Sequence, residues 1–346
     1  MIALASILLT SVLPCVTAAQ VAESGRAVPA AVAATVDAPA VRWSAPTVWV
    51  EGQPFVVTLE VEGGRTASSI ATWLLTPSAF TLDGKPLTQR DDQPSLPLPA
   101  GARLQFTYDL SPALRPALEA SSASATASAA SPMSRRLKLD YAPGYAQGEP
   151  ILVDWYSLAD QRLDWLSMPL EKLNTFGVVL ETRHGPMVFE LWPDVAPNHV
   201  RNFLDLVGAG FYDGTIFHRV IPGFMIQGGS PDGSPTGRGP RTVDLEPSTR
   251  PHIAGVLSMA RSQDKNSATS QFFVMHGASP KLDGEYSAFG KLLHGSEAVD
   301  AIATTPRDRA DRPVQEQKIE RARVVRLPAK VATTDRESGG AREDSR

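Results

Sequence analysis

Apolar and polar residues alternate with a period of two along four stretches in the first half of this sequence. The clearest stretch is VTLEVE at 57–62, and the pattern returns at 103–108, 136–141 and 151–155. Successive side chains of a β-strand point to opposite faces of a sheet, so this alternation is typical of strands buried on one face only. The first half of the chain is predicted to consist of such strands.

Turn signals suggest how these strands are connected. Asp83-Gly84 is a hairpin signal between two of them. Since no amphipathic helix is indicated in this half, residues 45–158 are predicted to form a small antiparallel β-sandwich, whose function the sequence does not indicate. The Ser/Ala-rich stretch 119–134 is predicted to be a long disordered loop within it, with a seam between domains as the alternative.

The first 19 residues form an uncharged apolar run that ends in small residues. This composition predicts a secretory signal peptide at 1–19, and hence a periplasmic or secreted protein with no membrane span after cleavage. A retained membrane anchor and a lipid-modified Cys15 are the alternatives. Cys15 is the single cysteine of the chain, so the cleaved protein would contain no thiol and no intramolecular disulfide.

Length and charge limit the remaining organisation. A chain of 346 residues exceeds what one hydrophobic core usually serves, so two domains are expected, with a flexible leader at 20–44 and a linker at 159–171. The polar segment 328–346 is predicted to be a disordered tail. A formal net charge of −4 argues against broad attraction to polyanions, and no nucleic-acid partner is expected.

The second half combines strands with two amphipathic helices. Residues 177–181 and 187–192 flank a short turn and predict a hairpin. A helix is predicted to begin at Pro197 and end near Gly208, because apolar residues recur between them with helical spacing. A second helix is predicted to follow Ser296, which would be its N-cap.

Three longer blocks in this half point to a known family. They are FHRVIPGFMIQGG at 217–229, GVLSMARSQDKNSATSQFFVMH at 255–276 and LDGEYSAFGKL at 282–292. Together with VAPNHVRNFLDL at 195–206, they closely resemble the cyclophilin-type peptidyl-prolyl cis-trans isomerases over residues 172–327. The resemblance implies a closed eight-stranded antiparallel β-barrel capped by two α-helices, with the substrate on the outside of the barrel wall.

The resemblance also implies a substrate site, carried over position by position. Arg219 looks like the family's catalytic arginine, and Gln227 like a catalytic glutamine that holds the substrate backbone. The residues implied to bind substrate are Phe224, Met225, Ala260, Arg261, Gln271, Phe273, Leu282 and Tyr286. Within this set a proline pocket would be formed by Phe224, Met225, Phe273 and Leu282, while Ala260 and Arg261 would contact the residue before proline.

The implied chemistry needs no cofactor. Amide resonance sets a barrier of ~18–20 kcal/mol to peptide rotation, and the rotation breaks no bond. A catalyst has only to bind the twisted amide more tightly than the planar forms. Twisting returns lone-pair density to the prolyl nitrogen, where the guanidinium of Arg219 can stabilise it. His218 is therefore predicted to be structural or hydrogen-bonding and not a general base.

Other motifs carry less information. The six histidines show no metal-ligand spacing. The glycine-rich stretch 233–239 lacks the lysine of a phosphate-binding loop and is predicted to be a mobile surface loop. Lys281 stands where well-studied members have a tryptophan, which predicts weak cyclosporin binding with retained turnover. Arg261 and Tyr286 resemble bacterial subtypes.

The predicted function is isomerisation of X-Pro bonds, with proline-containing peptides and unfolded exported proteins as partners. The alternative is a proline-segment binding or chaperone module with little isomerase activity, in which the N-terminal half recruits the client. A further possibility is that the N-terminal half is an adhesive or scaffolding domain. Turnover that depends on Arg219 distinguishes the first hypothesis from the second.

Overall fold

The computed structural model describes residues 39–89, 95–122, 134–142 and 149–328. The predicted signal peptide with Cys15, most of the leader, most of the Ser/Ala-rich stretch and the tail after residue 328 lie outside the described residues. All described residues belong to one compact unit. Within these ranges, no helix has both the length and the apolar character needed to cross a bilayer.

The N-terminal half contains three small sheets. Its strands are β1 (Ala40–Ser44), β2 (Val48–Val50), β3 (Val56–Glu62), β4 (Ser68–Ile70), β5 (Phe80–Leu82), β6 (Lys85–Pro86), β7 (Leu96–Leu98), β8 (Arg103–Asp109), β9 (Arg135–Tyr141) and β10 (Ile151–Tyr156). The sheets have the orders β1-β3-β8, β2-β10-β9-β5-β6 and β4-β7. Strands β2 and β10 are parallel, whereas the other pairs in this half are antiparallel.

The strands predicted from alternation are present in this half. On β3, Val57, Leu59 and Val61 are buried, while the residues between them are at least partly exposed. Asp83 and Gly84 have positive φ angles of 49° and 79° and form the turn between β5 and β6. A two-residue hairpin turn requires this left-handed backbone, which explains the Asp-Gly pair.

Side chains from the two larger sheets share one hydrophobic core. Leu59 from β3 packs in the same cluster as Phe80 from β5 and Trp155 from β10. The rings of Trp49 and Trp155 lie 6.2 Å apart. The parallel pair of β2 and β10 departs from the purely antiparallel sandwich predicted for 45–158.

A helix in this half contradicts the expectation that it contains none. The helix α1 (Ser111–Ser122) follows β8 directly. The carboxylate of Asp109 accepts hydrogen bonds of 2.9 Å from the main-chain nitrogens of Ser111 and Phe55. This carboxylate satisfies a donor at the helix start and ties it to the strand that begins next to Phe55.

A proline explains why α1 was not predicted from the sequence. Leu114 and Leu118 are buried in the core one helical turn apart. Pro116 lies between them, and proline inside a helix removes a main-chain donor and normally breaks the helix. The start of the stretch 119–134 belongs to α1, so the predicted loop is wrong over those residues.

The C-terminal half forms one eight-stranded antiparallel sheet with three helices. Its elements are α2 (Leu170–Leu173), β11 (Phe176–Thr182), β12 (Gly185–Leu191), α3 (Pro197–Gly208), β13 (Arg219–Ile221), β14 (Met225–Gly228), β15 (Val256–Met259), β16 (Phe272–Met275), β17 (Ala288–His294), α4 (Ser296–Ala303) and β18 (Arg321–Arg326). The strand order is β13-β14-β16-β15-β17-β12-β11-β18. We call the face that packs against α3 the core face and the opposite face the outer face.

The core face encloses the larger hydrophobic core. Phe203 of α3 lies 5.4 Å from Phe272 and 5.2 Å from Phe289, measured between ring centroids. Helix α3 begins at Pro197 and ends at Gly208, as predicted. The N-cap of α4 is Gly295, with a φ of 97°, so the prediction of Ser296 as N-cap is wrong by one residue.

Close packing explains the glycine at the start of α4. A Cβ atom on Gly295 would lie 2.3 Å from the carbonyl oxygen of Pro186. The left-handed backbone and this approach both require a residue without a side chain. Ser296 therefore occupies the first helical position instead of the cap.

The sheet curls, but no continuous strand ladder closes it into the predicted barrel. The edge strands β13 and β18 do not pair with each other. The two ends meet through the segments that precede them: Phe217 N donates to Gln317 O, and Ile319 N donates to Thr215 O, both at 2.8 Å. The prediction of eight strands is confirmed, while a third bond, from Gly214 N to Ile319 O, and a single β-bridge between Ile216 and Lys318 add to this short closure.

The segment predicted as a linker covers the free edge of β18. Ala159 N donates to Val324 O at 3.0 Å, and Arg326 N donates to Ser157 O at 2.9 Å. Farther along, Trp165 is buried in the larger core with its ring 5.0 Å from Phe176. Residues 159–171 are thus part of the packed structure and not a free connection.

The N-terminal half also covers part of the outer face. Val179 of β11, Val188 of β12 and Val325 of β18 point away from the larger core and are completely buried. Their apolar partners in the N-terminal half are Val50 and Tyr156. We call this region of β11, β12 and β18 the covered face.

Polar contacts flank the covered face. His294 Nε2 at the end of β17 lies 3.2 Å from Asp154 Oδ2 on β10. The same carboxylate accepts two hydrogen bonds from Arg136, at 2.7 and 2.9 Å. The hydroxyl of Ser134 donates to the main-chain oxygen of Arg326. Both apolar and polar groups therefore join the two halves of the chain.

Candidate functional site

The candidate site lies on the outer face of β13, β14, β16 and β15, at the end of the sheet opposite to β18. On these strands alternate side chains leave the larger core. Ile226 and Val274 point into it, whereas Met225, Phe273 and Val256 belong to a separate cluster on the outer face. We call this region the open face.

The cluster on the open face contains the predicted proline pocket. The predicted residues within it are Phe224, Met225, Ala260, Phe273, Leu282 and Tyr286. Phe273 and Tyr286 meet edge to face, with centroids 5.8 Å apart. Phe273 is buried, whereas Phe224 and Tyr286 remain partly exposed, so one side of the cluster is accessible. Such an apolar surface suits a pyrrolidine ring.

Strand register brings the predicted catalytic residues beside this pocket. Arg219 pairs with Gln227 between β13 and β14, and Gln227 pairs with Phe273 between β14 and β16. Residues directly opposite each other on paired strands point to the same face, so the three side chains form a row. Arg219 is 43% exposed and donates no hydrogen bond to any other described residue, which leaves its donors available to a ligand.

Two glutamines connect this row to the glycine-rich stretch. Gln227 Nε2 donates to Gln271 Oε1 at 3.0 Å. Gln271 Nε2 in turn donates to the main-chain oxygens of Pro235 and Gly237, at 3.0 and 2.8 Å. The amide of Gln271 therefore holds the stretch 233–239 against the sheet, in a segment that was predicted to be mobile.

Comparisons with known proteins identify the family of this half. The family model for cyclophilin type peptidyl-prolyl cis-trans isomerases matches residues 177–324. The peptidyl-prolyl cis-trans isomerase-like 1 of Gibberella zeae is 42% identical over 158 residues, which cover 44% of this chain and 96% of the relative. The chain belongs to the cyclophilin family.

Two further matches lie in other groups of organisms. A peptidyl-prolyl cis-trans isomerase of Synechococcus elongatus is 47% identical over 113 residues, covering 33% of this cyclophilin and 77% of the relative. A crystal structure of a cyclophilin type isomerase from Cryptosporidium parvum is 36% identical, covers 44% of this chain and 98% of its own, and has a TM-score of 0.42. The family model begins at residue 177 and so leaves the N-terminal half unmatched.

Arg261 lies in the site of this cyclophilin, but its donors are used within the protein. Its guanidinium donates to the main-chain oxygens of Ser262 at 2.9 Å and Glu285 at 3.1 Å. It also stacks over the ring of Tyr286, 4.6 Å from the centroid. The structure thus places Arg261 beside Tyr286 at the border of the pocket, with a side chain that is only 10% exposed.

His252 supports the pocket of the cyclophilin from behind, and the motif blocks did not reveal it. Its ring stacks on Phe273 at 6.2 Å. Nδ1 lies 2.9 Å from Asp283 Oδ1, and Nε2 lies 3.0 Å from Ser258 Oγ. Hydrogen bonds from the main chain and ring of His252 lower the pKa of Asp283. His252 lies just before the second block. The available signal for it was that its two hydrogen-bond partners, Ser258 and Asp283, lie within the second and third blocks.

His218 is buried beside Arg219 and is not placed to act as a base. It is 3% exposed, and neither ring nitrogen has a hydrogen-bond partner among the described residues. Burial, followed by the charges of Arg312 and Arg219, lowers the pKa of His218 to about 4. The ring is therefore neutral near neutral pH, in keeping with its predicted structural role.

Lys281, at the position predicted to weaken cyclosporin binding, borders the pocket. Its Nζ atom lies 5.5 Å from the centroid of Phe224, within the range of a cation–π contact. The ammonium adds charge to the rim without filling the pocket.

Across the described ranges, no group of three or more His, Cys, Asp or Glu side chains could hold a metal ion.

Proposed function

We propose that this cyclophilin accelerates X-Pro rotation in unfolded exported proteins by non-covalent stabilisation of the twisted amide at the open face. The observation that carries the proposal is the row of Arg219, Gln227 and Phe273 fixed by strand register. The row places a cation, an amide and an apolar ring side by side. These are the groups that a twisted prolyl amide requires.

Each group has a separate task in the proposed mechanism. The aromatic and aliphatic side chains around Phe273 hold the pyrrolidine ring and exclude water from one side of the amide. Gln227 holds the peptide backbone next to it. Arg219 then donates to the prolyl nitrogen as the amide loses resonance, so binding strengthens on the way to the transition state. The reaction moves no proton and breaks no bond.

The catalytic proposal can be tested with a short Ala-Pro-Phe peptide at low temperature. We expect the Arg219→Ala variant to lose about a hundredfold in kcat/KM, comparable to removing a donor from an oxyanion hole. Arg321→Ala, which changes an exposed arginine on β18, is the matched control and keeps full activity. A variant lacking Arg219 that retains parental turnover would contradict the proposal.

Binding without turnover is the outcome that favours the alternative function. If the parent protein binds proline peptides but does not accelerate exchange, the open face is a recognition module for proline segments. Nuclear magnetic resonance distinguishes the two results, since shifts on titration report binding and exchange cross-peaks report rotation. The same experiment therefore separates the two hypotheses.

The exported context of the proposal rests on the apolar run at 1–19. Expression of the full chain in a Gram-negative host, followed by mass spectrometry of the periplasmic fraction, tests it. We expect a protein that begins after residue 19. A protein that keeps these residues in the cytoplasm would contradict export while leaving the catalytic proposal intact.

A further inference from the structure

The loop between α4 and β18 approaches the predicted catalytic arginine. Val220 N, next to Arg219 on β13, donates to Asp311 O at 2.8 Å. This main-chain bond fixes Asp311 beside the strand. Its carboxylate atom Oδ2 lies 3.7 Å from Arg219 Nε, and no other carboxylate among the described residues forms an ion pair with Arg219.

The loop is built so that Asp311 has little freedom. Asp308 Oδ1 accepts hydrogen bonds from Ala310 N at 2.8 Å and Arg312 N at 3.0 Å. Asp308 N donates to Arg312 O at 2.8 Å, and Asp311 N donates to Asp308 O at 3.1 Å. The side chain of Arg312 donates to Gly233 O at 2.7 Å. These contacts hold the turn closed and attach it to the glycine-rich stretch.

The backbone at Asp311 is in the left-handed region, with a φ of 62°. Glycine adopts this conformation without strain, whereas a residue with a side chain is less stable there. Such positions persist where the side chain has a task, and they concentrate at functional sites. Asp83 adopts the same conformation in a hairpin turn, so the backbone alone assigns Asp311 no task, and the contacts of its carboxylate are what indicate one.

The carboxylate lies between two guanidinium groups. Oδ1 is 3.2 Å from Arg307 Nε, while Oδ2 faces the Nε atom of Arg219. Because the contact is made on the Nε side, the terminal nitrogens of Arg219 stay available for the substrate amide. A carboxylate in this position can fix the direction of a guanidinium without taking its terminal donors.

We propose that Asp311 is a positioning residue that aims Arg219 at the prolyl nitrogen. This inference rests on the proposed role of Arg219. An arginine that is 43% exposed samples many rotamers, and misplacement of a catalytic group by about 1 Å can lower the rate by as much as ~100-fold. Asp311 restricts Arg219 before the substrate arrives.

The test compares two variants that separate the carboxylate from the backbone. Asp311→Asn keeps a side chain that tolerates the left-handed conformation but removes the charge. Asp311→Gly relieves the backbone and removes the carboxylate. We expect both to lower kcat about tenfold while the affinity for the prolyl peptide changes by less than about twofold. Thermal unfolding should show that neither variant is less stable than the parent.

A double-mutant cycle shows whether Asp311 acts through Arg219. In the Arg219→Ala background, we expect Asp311→Asn to have no further effect on kcat. An equal loss in both backgrounds, or Asp311→Asn activity within about twofold of the parent, would overturn the inference. If Arg219→Ala keeps parental turnover, the catalytic proposal fails together with this inference. If Arg219→Ala loses activity but Asp311→Asn does not, only this inference fails, so the two failures are distinguishable.

Discussion

The two ends of the C-terminal sheet carry apolar side chains on the same outer face but use them differently. On the covered face, Val179 and Val188 are completely buried under the N-terminal half of the chain. On the open face, Phe273 and Met225 are nearly as well buried, yet Phe224 at their border is partly exposed. The first end forms an internal contact, and the second can form one with a substrate.

Polar neighbours account for this difference. The open face has Arg219 and Gln227 in register with Phe273, and the arginine makes no hydrogen bond within the described structure. On the covered side, the nearby carboxylate of Asp154 is paired with Arg136 and lies 3.2 Å from His294 Nε2. An apolar surface beside unused donors can bind an amide, whereas one beside satisfied charges serves only packing.

The largest effect that we expect from a single substitution is a loss of stability on the covered face. Val188→Asp places a charge where the side chain is 0% exposed, and we expect the free energy of unfolding to fall by about 3–5 kcal/mol. Urea unfolding measures this loss, with Val314→Asp at a 74% exposed position as the control. A loss below about 1 kcal/mol would show that the N-terminal half does not cover this face in solution.

The corresponding change on the open face should affect catalysis instead. Phe273→Ala removes the ring at the centre of the pocket, and we expect kcat/KM to fall about a hundredfold, mainly through weaker binding of the prolyl ring. Tyr156→Ala on the covered side is the matched control. It should lower stability and leave the kcat/KM of the folded protein unchanged; equal catalytic losses in both variants would remove the distinction between the faces.

Protonation of the buried His218, next to Arg219 in the chain, provides a smaller test. Because the pKa of His218 is lowered to about 4 in the folded protein, the unfolded chain binds this proton first as the pH falls. The part of the free energy of unfolding that depends on the neutral His218 ring is fully present above pH ~6.5. It falls by about 1–3 kcal/mol as the pH falls toward 4. Chemical unfolding at several pH values should show this slope, which His218→Gln should reduce and the exposed control His184→Asn should not.

The smallest expected effect concerns the pocket rim. Lys281→Trp would place an indole next to Phe224, and we expect cyclosporin affinity to rise about tenfold through the added apolar contact. Fluorescence titration measures it, with Lys265→Trp as a control outside the pocket cluster. Tight cyclosporin binding by the parent protein would contradict the idea that Lys281 limits the affinity.

Local patterns predicted most of the strands, while the resemblance carried by the three blocks supplied the residues of the candidate site. Alternation identified β3 and its neighbours because burial on one face leaves a two-residue period in the sequence. The first block spans β13 and β14 and the second spans β15 and β16, so the two blocks carry Arg219, Gln227 and Phe273 on neighbouring strands. Helix α1 was missed because Pro116 lies inside it, between the buried Leu114 and Leu118.

Features that depend on distant contacts could not be predicted in this way. The sequence shows that β11 and β12 are apolar on both faces, but it does not show that Val50 and Tyr156 lie over them. Similarly, Asp311 is remote from Arg219 in the chain, and only the folded loop brings their side chains together. Periodicity reports that a face is buried, whereas tertiary structure determines which residues bury it.

The covering of β18 has a consequence for the order of events during synthesis. β18 is the last described strand to be made, yet it supplies Val325 to the covered face and main-chain partners to Ser157 and Ala159. A ribosome adds about 5–20 residues per second, so Tyr156 emerges on the order of ten seconds before β18. During that interval β11 and β12 are made, but the covered face still lacks Val325, so docking of the N-terminal half can be completed only once β18 has been synthesised.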